Sequence, residues 1–192
     1  MLNGRNRFIL MPLALMLGAC SSFADLASKI DPTVKSASVA YKEPDGNTGT
    51  RLRVVSSGIA KLIPDRACDD WLAPGGGVVV SHVFGLGIDN SLNNKKIGIP
   101  KDGEIKNSSE VYIRPKQPIV IAYDVSETLG TKTWRCIATG YFIPEENTDY
   151  QALTGGTGQR CFINLSKIAI DKTSNAVTYI PVKLEESKDC KR

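Results

Sequence analysis

The sequence predicts an all-β domain, a small β-sandwich, and three observations carry that expectation. From about residue 50 onward, apolar and polar side chains alternate in short runs, the period of a half-buried strand. Clusters of Gly, Pro, Asn and Asp separate those runs. No window long enough for a helix shows a helical spacing of apolar residues.

The elements follow in order. Residues 52–59 read as a first strand, with the doubled Val54-Val55 pointing to a bulge. Residues 78–84 form an apolar run after Gly75-Gly76-Gly77. Two further strands, 110–114 and 119–125, flank Pro115 and Pro118. In the second, Ile119, Ile121, Tyr123 and Val125 share one face, because alternate side chains of a strand point the same way. Residues 133–143, 149–153, 161–170 and 177–184 complete the set, separated by turns at 145–148 (EENT), 155–158 (GGTG) and 172–175 (KTSN). The stretch 161–184 reads as a hairpin. About seven or eight strands with frequent turns give a sandwich or small barrel of roughly 140 residues, over 49–192. Residues 20–48, small and polar and ending in Pro44-Asp45-Gly46-Asn47, read as a tether, with one helical turn where Phe23, Leu26 and Ile30 recur.

The first nineteen residues are of another kind. Arg5 and Arg7 precede an apolar run from 8 to 19 (FILMPLALMLGA), too short to cross a hydrocarbon core, which takes about 20 residues. Its length and flanks are those of a secretory signal. The run ends in Leu17-Gly18-Ala19-Cys20, which resembles the lipobox of bacterial lipoproteins. That resemblance covers only this segment and implies a diacylglyceryl group on Cys20, cleavage just before it and acylation of the new amine. Two or three acyl chains anchor stably where one does not. By the same family rule, Ser21 in place of Asp implies sorting to the outer membrane of a Gram-negative host. The mature organisation also looks like small envelope lipoproteins of immunoglobulin-like or transthyretin-like sandwich type, an analogy of fold that does not fix function.

Lipidation of Cys20 leaves four cysteines, an even number in an exported chain, which reads as two disulfides. Alternation puts Cys136 on one face with Trp134, Ala138 and Phe142, and Cys161 on one face with Ile163 and Leu165. Both therefore point to the core, and the expected pairs are Cys136–Cys161 and Cys68–Cys190, the second stapling a loop to the tail. Trp134 is expected to pack against the first bridge. No pair has CxxC spacing, and with a single histidine, His82, neither a zinc site nor a redox dithiol is expected.

Other chemistry is thinly represented. Ser81 and His82 adjoin on a strand and so face opposite ways, and no GxSxG elbow is present. The densest carboxylate group, Asp65, Asp69 and Asp70, lies beside Cys68 and Trp71 in a loop that could hold a cation or sugar but reads first as a solvated acidic loop. The glycine clusters fit no nucleotide signature and read as bends. Removing Arg5 and Arg7 lowers the net charge of +4 by two, and the remaining charges are interspersed, which is not a nucleic-acid footprint. No catalytic residues, metal or cofactor are expected. The expectation is a non-enzymatic envelope lipoprotein, held on the periplasmic face of the outer membrane, that binds or scaffolds another envelope protein. The alternatives are a periplasmic inhibitor of a hydrolase such as lysozyme, disfavoured by the slightly basic charge, and a carbohydrate-binding or hydrolytic domain using Trp71 and its aspartates.

Overall fold

The computed structural model describes residues 39–70, 72–82, 88–157 and 160–190. Among these the chain is all-β, two five-stranded sheets packed as a sandwich. The elements are β1 (Arg51–Ser56), β2 (Ile59–Pro64), β3 (Cys68–Asp69), β4 (Gly77–Ser81), β5 (Ser108–Tyr112), β6 (Ile119–Leu129), β7 (Lys132–Phe142), β8 (Asp149–Thr157), β9 (Arg160–Ile170), β10 (Val177–Val182), β11 (Glu185–Glu186) and β12 (Lys188–Asp189). One sheet runs β10-β9-β8-β1-β5 and the other β11-β7-β6-β2-β4, while β12 and β3 form a separate two-stranded ribbon.

The core lies where alternation puts it. Leu52 and Val54 of β1, Val111 of β5, Tyr150 and Ala152 of β8 and Leu165 of β9 meet Leu62, Ile119, Ile121 and Phe142 of the other sheet. Fully burying each large side chain is worth about 1.5–3 kcal/mol. Tyr123, on the face expected for it, is wholly buried and shares a hydrogen bond with Ser57 Oγ at 2.9 Å.

Several boundaries differ from the sequence reading, each for a local reason. The expected strand 52–59 is two strands: the chain turns at Ser57-Gly58, and β2 crosses to the opposite sheet. A Cβ on Gly58 would lie 2.8 Å from the Asp124 carbonyl, so only glycine passes there. The bulge falls not at Val54-Val55, where both registers run unbroken, but at Ala60/Lys61 against β4. Gly155 and Gly156 are not the hairpin connection; they sit inside β8, opposite Phe162 and Cys161. A Cβ on Gly155 would meet the Phe162 ring at 2.8 Å, so the glycine makes room for an aromatic lying across its backbone. The run 177–184 is β10 followed by a crossing at 183–184, after which β11 pairs with Tyr141 and Gly140 of the other sheet. The turns at 145–148 and 172–175 are present, and their asparagines Asn147 and Asn175 take the left-handed conformation this residue tolerates.

Residues 39–42, expected in the tether, belong to the packed domain. Ala40 bridges Val78 in parallel and Tyr41 is buried in the core. A Cβ on Gly77 would fall 2.4 Å from the Ala40 carbonyl carbon, so this close approach demands glycine.

Candidate functional site

Cys20 and Ser21 lie outside the described residues, as do Trp71 and residues 83–87, which include Gly85 and Gly87. The four other cysteines form Cys136–Cys161 and Cys68–Cys190, the pairs that strand alternation selects. The two bridges do different work. Cys136 of β7 and Cys161 of β9 belong to opposite sheets, so their bond clamps the sandwich across one lateral opening. Cys68–Cys190 joins β3 to the end of the chain beside β12, and holds the 66–76 loop near a small outer cluster of Ile63, Ala73 and Val120. Trp134 is half-buried and is not among the buried core residues.

The aspartates of the acidic loop do not converge. Asp65, in a left-handed conformation, pairs with Arg114 at 2.7 Å. Asp69 accepts a hydrogen bond from Ser187 Oγ, and Asp70 accepts from the Leu72 amide and lies 3.5 Å from Arg66. Of the three, only Asp65 lines the neighbouring cleft of about 150 Å³, together with Tyr41, Pro44, Pro64, Pro74 and Arg114. Among the described residues the buried side-chain atoms Asp65 Oδ1 and His82 Nε2 have no hydrogen-bond partner. Among the described residues no group of three or more His, Cys, Asp or Glu could hold a metal ion.

The arrangement that the sequence reading missed is a buried ionic lock on the outer face of β1. Arg53 stands opposite Glu110 of β5 and Gln151 of β8. Its guanidinium donates to Glu110 Oε1 at 3.0 and 3.1 Å, to Gln151 Oε1 at 3.3 Å, and to the carbonyls of Ile99 and Pro100. Glu110 Oε2 accepts the amides of Ile97, Gly98 and Ile99. Burial alone would raise the Glu110 pKa, but the amides of Ile97 and Ile99 and the Arg53 charge outweigh it and hold it below the usual carboxylate value. Beside it Arg51 pairs with Asp149 at 2.6 Å and reaches the carbonyls of Ile97 and Gly98. Charged residues on an outward strand face read as solvated, and alternation with Leu52 and Val54 puts Arg53 on that face, so nothing local marked its burial.

This lock straps the loop over one flank of the sandwich and closes its edges. On β5, Glu110 N donates to Lys95 O and Tyr112 N to Glu43 Oε1. On β4, Val78 exchanges two hydrogen bonds with residues 39 and 41, and the Asn93 amide bonds both the N–H and the carbonyl of Ser81.

The opposite flank is open. Among the described residues β10 has no strand on its far side, and its Tyr179 and Ile180 are exposed. Among the described residues β11 covers Gly140 and Tyr141 of β7 and no strand pairs with 132–139 on that side. Because β10 ends opposite Leu165, the first five residues of β9, 160–164, are also unpaired on that side. Between these two edges lies a groove of about 290 Å³ lined by Ala138, Thr139, Cys161, Phe162, Ile163 and Leu184, with Glu185 and Glu186 at one end. Compared with protein-family models, curated proteins and solved structures, the chain matches none.

Proposed function

We propose that this chain is a non-enzymatic cell-envelope lipoprotein that binds or scaffolds another envelope protein through its open flank. The observation that carries the reading is the inequality of the two flanks. An unpaired strand edge is a template for another chain, and folded proteins ordinarily cover or blunt it. Here the β4 and β5 edges are covered by the chain itself, whereas the β7, β9 and β10 edges are left available beside exposed Ile137, Phe162 and Ile180. Two disulfides indicate an oxidising, extracytoplasmic location. The lipobox-like ending at Cys20 supports anchoring, and Ser21 supports carriage to the outer membrane.

Two measurements test this. Labelling with an acyl-chain analogue should mark the wild type and not Cys20→Ser; equal labelling of both would remove the anchor. Crosslinking in the envelope, followed by purification of the lipidated chain, should recover a defined protein partner joined at the open flank. Recovery of no partner at any surface would remove the binding role.

A further inference from the structure

The open flank offers more than one edge, and they are not equivalent. β10 carries Pro181, which has no amide hydrogen to donate, a common device for blunting an edge strand. The free stretch of β7 carries Lys132 and Arg135, charges that serve the same end. The unpaired start of β9, residues 160–164, has neither a proline nor a charge between Cys161 and Asn164. It is a notch in the sheet: β10 fills the neighbouring strand position as far as Leu165, then the chain leaves at 183–184 for the other sheet. Beyond that crossing no strand among the described residues pairs with 160–164, which border the groove lined by Ala138, Ile163 and Leu184.

Charge defines the two ends of this notch. Arg160, exposed, stands at the far end, and among the described residues it forms no salt bridge. Glu186, also exposed and without a salt bridge among the described residues, stands at the crossing, while its neighbour Glu185 is held by Lys183 at 2.9 Å. Resting on the binding-module reading above, we infer that the β9 notch is a strand-acceptor site. Its occupant is an extended segment of a protein partner that continues the line of β10, antiparallel to β9. Such a segment begins with a cation beside Glu186, places alternate apolar side chains into the groove over Ile163 and Leu184, and ends with a carboxylate beside Arg160. Backbone hydrogen bonds to 160–164 supply the affinity, and the alternation and terminal charges supply register and direction.

The test uses the mature lipidated protein in detergent micelles and two synthetic, end-blocked pentapeptides. One reads Lys-Val-Thr-Val-Asp and the other has its end charges exchanged. Binding is read by fluorescence polarisation and by hydrogen exchange of the protein's amides. The first peptide should bind about tenfold more tightly than the exchanged one and slow exchange within 160–164, and Arg160→Glu, a surface change, should reverse the preference. Equal binding, binding of neither, or protection on β10 or β7 instead would overturn the assignment. The failure is separable from that of the binding role: a partner still crosslinked at the open flank while 160–164 stays unprotected leaves the module reading standing and removes only the notch.

Discussion

The two flanks of this sandwich are made of the same kind of strand and finished differently. At the β4–β5 flank the chain commits residues 39–43, the stretch 88–107 and a buried ion pair to closing two edges. At the β7–β9–β10 flank it commits one crossing, two paired residues of β11 and a disulfide. Edge exposure is a hazard that folded proteins manage, and the closed flank shows this chain covering two edges with its own residues. The open flank is bridged by Cys136–Cys161, yet its edges carry no further strand among the described residues; under the proposed function an incoming strand would meet a preformed edge.

Breaking the lock should have the largest effect. Arg53→Ala strands a carboxylate whose side chain is 3% exposed, and removal of one partner of a buried pair costs about 3–5 kcal/mol. Urea unfolding should show that loss, and Arg53→Met with Glu110→Leu together should not restore it, because the amides of Ile97, Gly98 and Ile99 then lose their acceptor. The same lock sets a pH dependence. Glu110 has a lowered pKa when folded, so its contribution is complete above the ordinary carboxylate value of about 4.3 and is lost as pH falls through the lower folded value. The stability gap between wild type and Glu110→Gln should therefore narrow below about pH 4.

Opening the other flank's clamp comes next. The Cys136–Cys161 loop of 25 residues should be worth about 3 kcal/mol on the chain-entropy model. Cys136→Ala should lower the unfolding midpoint accordingly and speed exchange at 160–164 more than at β4. A smaller effect should follow from converting a closed edge into an open one. Asn93→Ala removes the side chain that bonds both backbone groups of Ser81, costing about 1–2 kcal/mol. It should also raise self-association in sedimentation experiments, because β4 then presents a free edge. Last, Cys190→Ala should act locally, taking the opening energy at Lys188 and Asp189 towards the ~0 kcal/mol of a fraying terminus.

Much of the fold was legible because alternation reports burial directly. Ile119, Ile121 and Tyr123 face the core as their spacing requires, and the same parity paired Cys136 with Cys161. What parity cannot report is which sheet a strand joins. Ser57-Gly58 looked like the middle of one strand because Ile59 keeps the apolar rhythm, yet the chain there crosses to the other sheet. The Gly155-Gly156 pair misled in the other direction, since glycine inside a strand marks close packing as readily as a turn. The candidate site was the least legible part. An open edge is defined by what fails to pair with it, and strand order arises from contacts between residues far apart in the chain. Arg53 and Glu110 escaped for a related reason: nothing local tells a solvated arginine from one covered by a loop some 45 residues later.

The comparison of flanks is tested most directly by placing a photocrosslinking residue, p-benzoylphenylalanine, at Ile137 or Phe162 on the open flank and at Lys101 or Lys106 on the closed one. The lipidated protein is then irradiated in its own envelope. The account predicts one discrete crosslinked partner from the open-flank positions and none from the loop positions. Crosslinks of equal yield from both flanks, or from the closed flank alone, would contradict it.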